Sequence, residues 1–190
     1  MTSLIATEIP GYVTGTWSID PVHSDVSFSV RHMMVSKVRG RFESFSGRIE
    51  TGEDPLDSTV TAVVDAASLS TNNADRDAHI RSADFLEVDT YPTLELRSTG
   101  LRAKGDDEYL LDGDLTVHGI TRPVTFDVEL NGFTKDPFGG YRIGFSASAE
   151  IRRADFGVSI NLPMEGGGVV VGDRIQIGLE VEAVLDVPAA

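Results

Sequence analysis

From Val26 the chain alternates strictly: Val26, Phe28 and Val30 are apolar, and Ser27, Ser29 and Arg31 between them are polar. Successive side chains of a β-strand point to opposite faces, so this run predicts a strand with one buried face. Ser24 opens that face and His32 ends it, which suits a lined cavity as well as a dry core. The same period returns at Tyr141, Ile143, Phe145, Ala147, Ala149 and Ile151, and again at Ile177, Leu179 and Val181.

Between these runs the strand pattern continues over 38–49, 59–66, 94–98, 110–117 and 124–130. Phe42, Ser44 and Ser46 follow one parity and Phe45, Gly47 and Ile49 the other, which predicts a bulge near Phe45. Turn signals stand at Asp112-Gly113, His118-Gly119, Asn131-Gly132 and Gly139-Gly140. One polar stretch breaks the pattern: residues 72–88 read as a short helical insertion, with Asn72, Asn73 and Asp75 as N-cap candidates and Ser82 as a second cap.

Roughly eight strands without βαβ alternation imply an antiparallel sheet. Closing such a sheet removes its exposed edges and leaves an interior for packed side chains or one slender ligand. The expected fold is therefore all-β, an eight-stranded antiparallel β-barrel, with a two-sheet sandwich second. Residues 1–12 are expected to form a flexible N-terminal arm, set off by Pro10-Gly11, and residues 13–187 a single domain.

Charge narrows the partners. Thirty acidic residues against 16 basic give a net charge of -14. A field of that sign repels nucleic acid and anionic membrane surfaces within a Debye length of about 8 Å, and the chain has no basic stripe for nucleic acid. The absence of cysteine excludes disulfides, thiolate catalysis and zinc–thiolate sites. No run approaches the roughly 18 apolar residues of a membrane span. The first residues also lack a basic start and a signal-peptide core. The expectation is a soluble cytoplasmic protein without stable membrane insertion, unless a signal was removed beforehand.

The order of motifs resembles the YceI-like, lipocalin-like polyisoprenoid-binding family from about Thr16 to Leu185. The resemblance is carried by Trp17-Ser-Ile-Asp-Pro-Val-His23-Ser24-Asp-Val-Ser-Phe28-Ser-Val30-Arg-His32 and Gly40-Arg-Phe42, followed by Asp77-Ala-His79-Ile-Arg81-Ser82-Ala-Asp84-Phe85 and Tyr91-Pro92. It continues through Gly113-Asp-Leu115-Thr116-Val-His-Gly119-Ile-Thr-Arg-Pro123, Arg153-Ala-Asp155-Phe156-Gly157 and Val171-Gly172-Asp173. It implies a lipocalin-like barrel with a helical cap that holds a long linear apolar molecule: a polyisoprenoid, a quinone or a fatty-acid-like ligand. No other cofactor is implied. A homodimer is compatible with the family. Many relatives begin with a signal peptide, and this chain departs from them there.

On the residues alone, the apolar strand faces read as packed core. With the resemblance they read as a tunnel lined by Phe28, Val30, Phe42, Leu94, Leu96, Leu115, Val117, Phe126, Phe145 and Ile177, with His32 at one end. Arg31, Lys37, Arg39, Arg41 and Arg48 form a local basic reversal. It reads either as a mouth for a polar head group, with Arg39 as the preferred contact, or as a solvated hairpin.

Asp75-Arg-Asp77-Ala-His79 lacks the glycine of a calcium loop, and a hydrogen-bonded cap is the stronger reading for Asp77, His79, Ser82 and Asp84. Residues 165–173 lack the Gly-Lys of a phosphate loop and read as a flexible connection beside the mouth. No nucleophile–histidine–acid arrangement is legible, since His23 and Ser24 point to opposite faces. The expected function is binding of one long-chain lipid for transport, storage or sequestration, without catalysis. The rivals are a lipid-modifying enzyme using His32 at the mouth, and a stress or interaction protein with a solid core.

Overall fold

The computed structural model describes residues 8–161 and 170–186. Eleven strand segments form one antiparallel sheet that closes on itself. In chain order they are β1 (Gly15–Ile19), β2 (Asp25–His32), β3 (Ser36–Phe42), β4 (Phe45–Thr51), β5 (Thr59–Asp65) and β6 (Leu69–Ser70), followed by β7 (Thr93–Gly105), β8 (Glu108–Val117), β9 (Ile120–Lys135), β10 (Tyr141–Arg152) and β11 (Val171–Leu185). The first six are halves of three long strands: β1 with β2, β3 with β4, β5 with β6. With β7 to β11 they make eight staves, each paired to the next in chain order. The last stave, β11, returns to pair with both β1 and β2. The result is an eight-stranded antiparallel barrel in simple meander order, and the sandwich alternative is set aside.

Each break in a long stave is patched by a serine or an aspartate. Between β1 and β2, Ser24 Oγ donates to Glu182 O at 3.2 Å and accepts from Glu182 N at 3.0 Å. Ser24 therefore holds the closing seam, which corrects the expectation that it marks one end of a tunnel. Between β3 and β4, Glu43 N and Ser44 N donate to Ser68 O and Ser68 Oγ at 3.2 and 3.0 Å. The parity change here lets Phe42 and Phe45 both face inward, as the sequence bulge predicts. At the third break Asp65 Oδ1 accepts from Ala67 N at 3.0 Å and starts a short 3-10 turn, Ala66–Ser68.

Two of the four expected turns are turns: 118–119, and 136–140 between β9 and β10. Asp112-Gly113 instead lies inside β8, where Gly113 pairs with Ser98 on one side and Val124 on the other. A Cβ there would stand 3.0 Å from both Arg97 O and Leu96 Cδ1, so the glycine permits close packing rather than a turn. Asn131-Gly132 lies inside β9 at a register shift opposite Gly144 and Phe145. An unforeseen turn stands at 106–107, with Asp107 left-handed at φ 56°.

The helical insertion joins β6 to β7 and contains α1 (Ala74–Arg81). Asn73 caps it, its Oδ1 accepting from Arg76 N at 3.0 Å. Ser82 does not start a second helix. Its Oγ donates to His79 O at 2.6 Å and ends the first. The sites of residues 1–7 and 187–190, and most of the connection at 165–173, lie outside the described residues. Of the described part of the expected N-terminal arm, Ile9 is buried and Tyr12 donates its hydroxyl to Gly52 O at 2.7 Å.

Candidate ligand-binding cavity

Alternation sends every second side chain of each stave inward, and these side chains do not meet. They enclose a cavity of about 670 Å³, running from Tyr12 and Phe133 at one end to Ile80 and Phe85 of the helical insertion at the other. That volume falls within the roughly 300–1,000 Å³ of small-molecule sites.

The far end is sealed by aromatic packing. Trp17 has no exposed surface, and its Nε1 donates to Thr51 Oγ1 at 2.9 Å. Phe133 meets the Trp17 ring edge-on at 5.7 Å and the Tyr12 ring at 5.5 Å. Ile49, Ile143 and Ala183 fill the space around them.

Phe28, Val30, His32, Phe42, Leu94, Leu96, Leu115, Val117, Phe126, Phe145 and Ile177 all line the cavity. Phe28 and Phe42 lie with ring centres 5.6 Å apart. Gly40 makes room for that pair, because a Cβ on it would fall 2.3 Å from Phe28 Cζ. Arg39 does not join them. It pairs with Ser29 across β2 and β3 on the outward parity and is exposed, so the structure places the preferred head-group residue outside the barrel. The cause is strand phase: Val38 and Gly40 take the inward positions, and Arg39 between them cannot. Several lining residues were absent from the sequence-based set, including Phe45, Tyr109 and Leu111. Tyr109 and Leu111 share the parity of Leu115 and Val117: Leu111 already lay in the expected strand, and carrying β8 back one residue would have found Tyr109. Phe85 and Phe156 come from the helical insertion and a 3-10 turn, where no period marks them.

The cap is seated by backbone-directed hydrogen bonds. Buried Asp77 accepts from Thr71 N at 2.9 Å and from Thr71 Oγ1 through the same oxygen. Arg76 donates to Thr71 Oγ1 and Thr71 O at 2.7 and 2.8 Å, and Arg81 Nε reaches Ala67 O at 2.9 Å. His79 contacts Asp84 at 2.9 Å and packs edge-on against Phe85. This is the hydrogen-bonded cap, and Arg76 and His79 also border the cavity. Beside it, buried Arg153 spends its donors on Val158 O, Ile160 O, Val171 O, Gly172 O and Asn161 Oδ1, and burial pushes its pKa down.

Among the described residues one cluster has metal-ligand composition: Asp20, His23 and Glu182. Arg142 already occupies it, donating to Asp20 Oδ2 at 2.8 Å, Glu182 Oε1 at 2.7 Å and Asp136 Oδ2 at 2.9 Å. Hydrogen bonds from this guanidinium hold the Asp20 and Asp136 carboxyls well below the usual range. A cation there would have to displace a guanidinium, so the cluster reads as a latch across the seam. Near the lumen, no carboxylate among the described residues pairs with His32. No helix among them is long and apolar enough to cross a membrane.

A YceI-like domain model matches residues 17–183. The chain belongs to the YceI-like family. A UPF0312 protein of Vibrio parahaemolyticus is 40% identical over 156 residues, covering 82% of this chain and 80% of that one. Another, from Photorhabdus laumondii, is 39% identical over 141 residues, covering 74% and 73%. Among solved structures, the Campylobacter jejuni YCEI protein matches with TM-score 0.71 at 26% identity, over 83% of this chain and 90% of that one. Burkholderia cenocepacia BcnA shares the fold with TM-score 0.75 at 20% identity, over 86% and 98%. So does a polyisoprenoid binding domain from Saccharophagus degradans, with TM-score 0.69 at 16% identity, over 92% and 100%. In this YceI-like chain the family barrel surrounds a cavity whose wall is almost wholly hydrocarbon.

Proposed function

We propose that this YceI-like protein binds one long, slender lipid in its lumen, a polyisoprenoid or a quinone- or fatty-acid-like molecule, and carries or sequesters it. One observation carries this reading: a continuous apolar cavity of about 670 Å³ inside a closed barrel. An apolar cavity of this kind does not hold water well and gains by filling with hydrocarbon. Burying about 400 Å² of apolar ligand surface at about 25 cal/mol per Å² yields roughly 10 kcal/mol gross. Association and chain-ordering costs offset part of it, leaving micromolar to nanomolar affinity. The polyisoprenoid-binding neighbour supports the choice of ligand class.

Native mass spectrometry of the purified protein, with extraction and identification of any bound lipid, tests the reading. A stoichiometric adduct of long-chain lipid mass is expected. Repeated preparations free of lipid, together with no uptake of offered prenyl chains, would sink it.

A further inference from the structure

The hairpin joining β2 to β3 is built against local preference. His32 and Ser36 close it, and Val35 N donates to His32 O at 3.2 Å, with Met33 and Met34 between them. Both methionines are left-handed, at φ 50° and 62°. That geometry normally selects Asn-Gly, because neither residue is penalised for positive φ. Packing offsets this only in part. Met33, Met34 and Val35 are 42%, 59% and 83% exposed, so the strained turn pushes three apolar side chains into solvent. Backbone strain kept at an exposed position points to a surface that is used.

Charge says what the surface meets. Arg31 pairs with Lys37 across the hairpin directly behind the tip, and Arg39 follows two residues on; all three are exposed, Lys37 and Arg39 outside the cavity and Arg31 at its edge. At about 3.3 Å per residue Arg31 and Lys37 lie about 7 Å from the tip along the strand and Arg39 about 13 Å. None of the three is ion-paired among the described residues, whereas Arg102, Lys104 and Arg152 each are. The helical insertion at the same end holds Asp75, Asp77, Asp84, Glu87 and Asp89 against Arg76 and Arg81. The turns at 52–58 and 105–108, with Glu53, Asp54, Asp57, Asp106, Asp107 and Glu108, stand about 40 Å away, several screening lengths. The hairpin is thus a local basic patch with an apolar tip on an acidic molecule, and screening limits the reach of the remaining negative charge.

We propose that the Met33–Met34–Val35 tip and its Arg31, Lys37 and Arg39 flank dock this protein on an anionic lipid bilayer surface, reversibly and without spanning it. Shallow insertion of apolar side chains beside a basic flank is how peripheral proteins grip such membranes. Methionine is pliant and suits an irregular acyl boundary. Docked this way, the rim formed by His32, Val38 and Val171 faces the bilayer, so a lipid can pass between membrane and lumen. That consequence rests on the carrier reading; the docking itself does not.

Co-sedimentation of the full chain with vesicles tests it. Wild type should bind vesicles of phosphatidylcholine with one-third phosphatidylglycerol, release from them at high salt and leave phosphatidylcholine vesicles unbound. Each basic residue near an anionic surface is worth about fivefold, so the double variant Lys37→Gln/Arg39→Gln should bind about 25-fold more weakly. Met34→Ser/Val35→Ser should lose at least about tenfold. Both variants should take up prenyl chains from solution as wild type does, since none of these residues lines the cavity. Wild type that ignores the anionic vesicles, or variants that bind them equally, overturns the proposal. So does a tip variant that changes the oligomeric state in sedimentation velocity instead of vesicle binding. Vesicle binding in a protein that takes up no lipid would leave the docking surface standing and remove the carrier reading.

Discussion

Trp17 Nε1 donates to Thr51 Oγ1 at 2.9 Å, and the same hydroxyl donates to Val13 O at 2.7 Å. One threonine thus joins the first stave, the second and the incoming chain at the sealed end of the barrel. The indole is fully buried, so its N–H has no water to fall back on.

Thr51→Val keeps the shape and removes the acceptor. It should destabilise the barrel by about 1–3 kcal/mol, the cost of a buried donor left unpaired. Urea unfolding followed by the emission of the single tryptophan measures it directly. A midpoint unchanged from wild type would show that the indole finds another acceptor.

Val30 faces the lumen near the mouth, opposite Val38 across the strand pair. If the lumen is ligand space, Val30→Trp fills it at little cost to the fold and lowers lipid affinity at least about tenfold. In a tightly packed core the same change would cost about 1–3 kcal/mol by overpacking. Thermal unfolding and lipid titration of one variant separate the two outcomes.

Asp77 holds the cap by accepting from both the backbone and the side chain of Thr71. Asp77→Ala leaves two buried donors without their partner, worth about 1–3 kcal/mol locally. Because the loss falls on the cap rather than on the barrel ladder, hydrogen exchange should quicken over residues 71–86 and stay slow in β8 and β9. Release of a bound lipid should quicken with it.

Acid should loosen the seam. Arg142 holds Asp20 and Asp136 below the ordinary carboxylate range, so their contribution to stability is complete above the unfolded value near 3.9 and is lost as pH falls through the lower folded values. Unfolding midpoints should be flat with respect to these groups from pH 7 to 5 and should fall below about pH 4. Arg142→Met should reduce stability at neutral pH and flatten that acid slope. Equal slopes in both proteins would dissociate the latch from acid sensitivity.

The sequence was most legible where one physical period runs uninterrupted. Inward positions of β2, β10 and β11 follow from alternation alone, because a strand buried on one face cannot slip by one residue without turning that face to water. Even the parity change at Phe45 was written in the order of residues. Glycine was less legible. Gly113 and Gly119 both follow a polar residue, yet one lies in a strand and the other in a turn, since a glycine marks either a bend or a close neighbour. Arg39 failed for a different reason. Its distance from the turn suggested the mouth, but one position of strand phase decides between inside and outside.

By itself, then, the sequence determined a closed antiparallel barrel, the family it belongs to, and which side chains share a face. Period and turn chemistry are local properties that act wherever the chain goes. Only the tertiary structure decided that the inward faces stand too far apart to fill the space between them, because that depends on how eight staves close into a ring. It also decided that Lys37 and Arg39 of β3 point away from the lumen, beside an apolar tip held out in solvent.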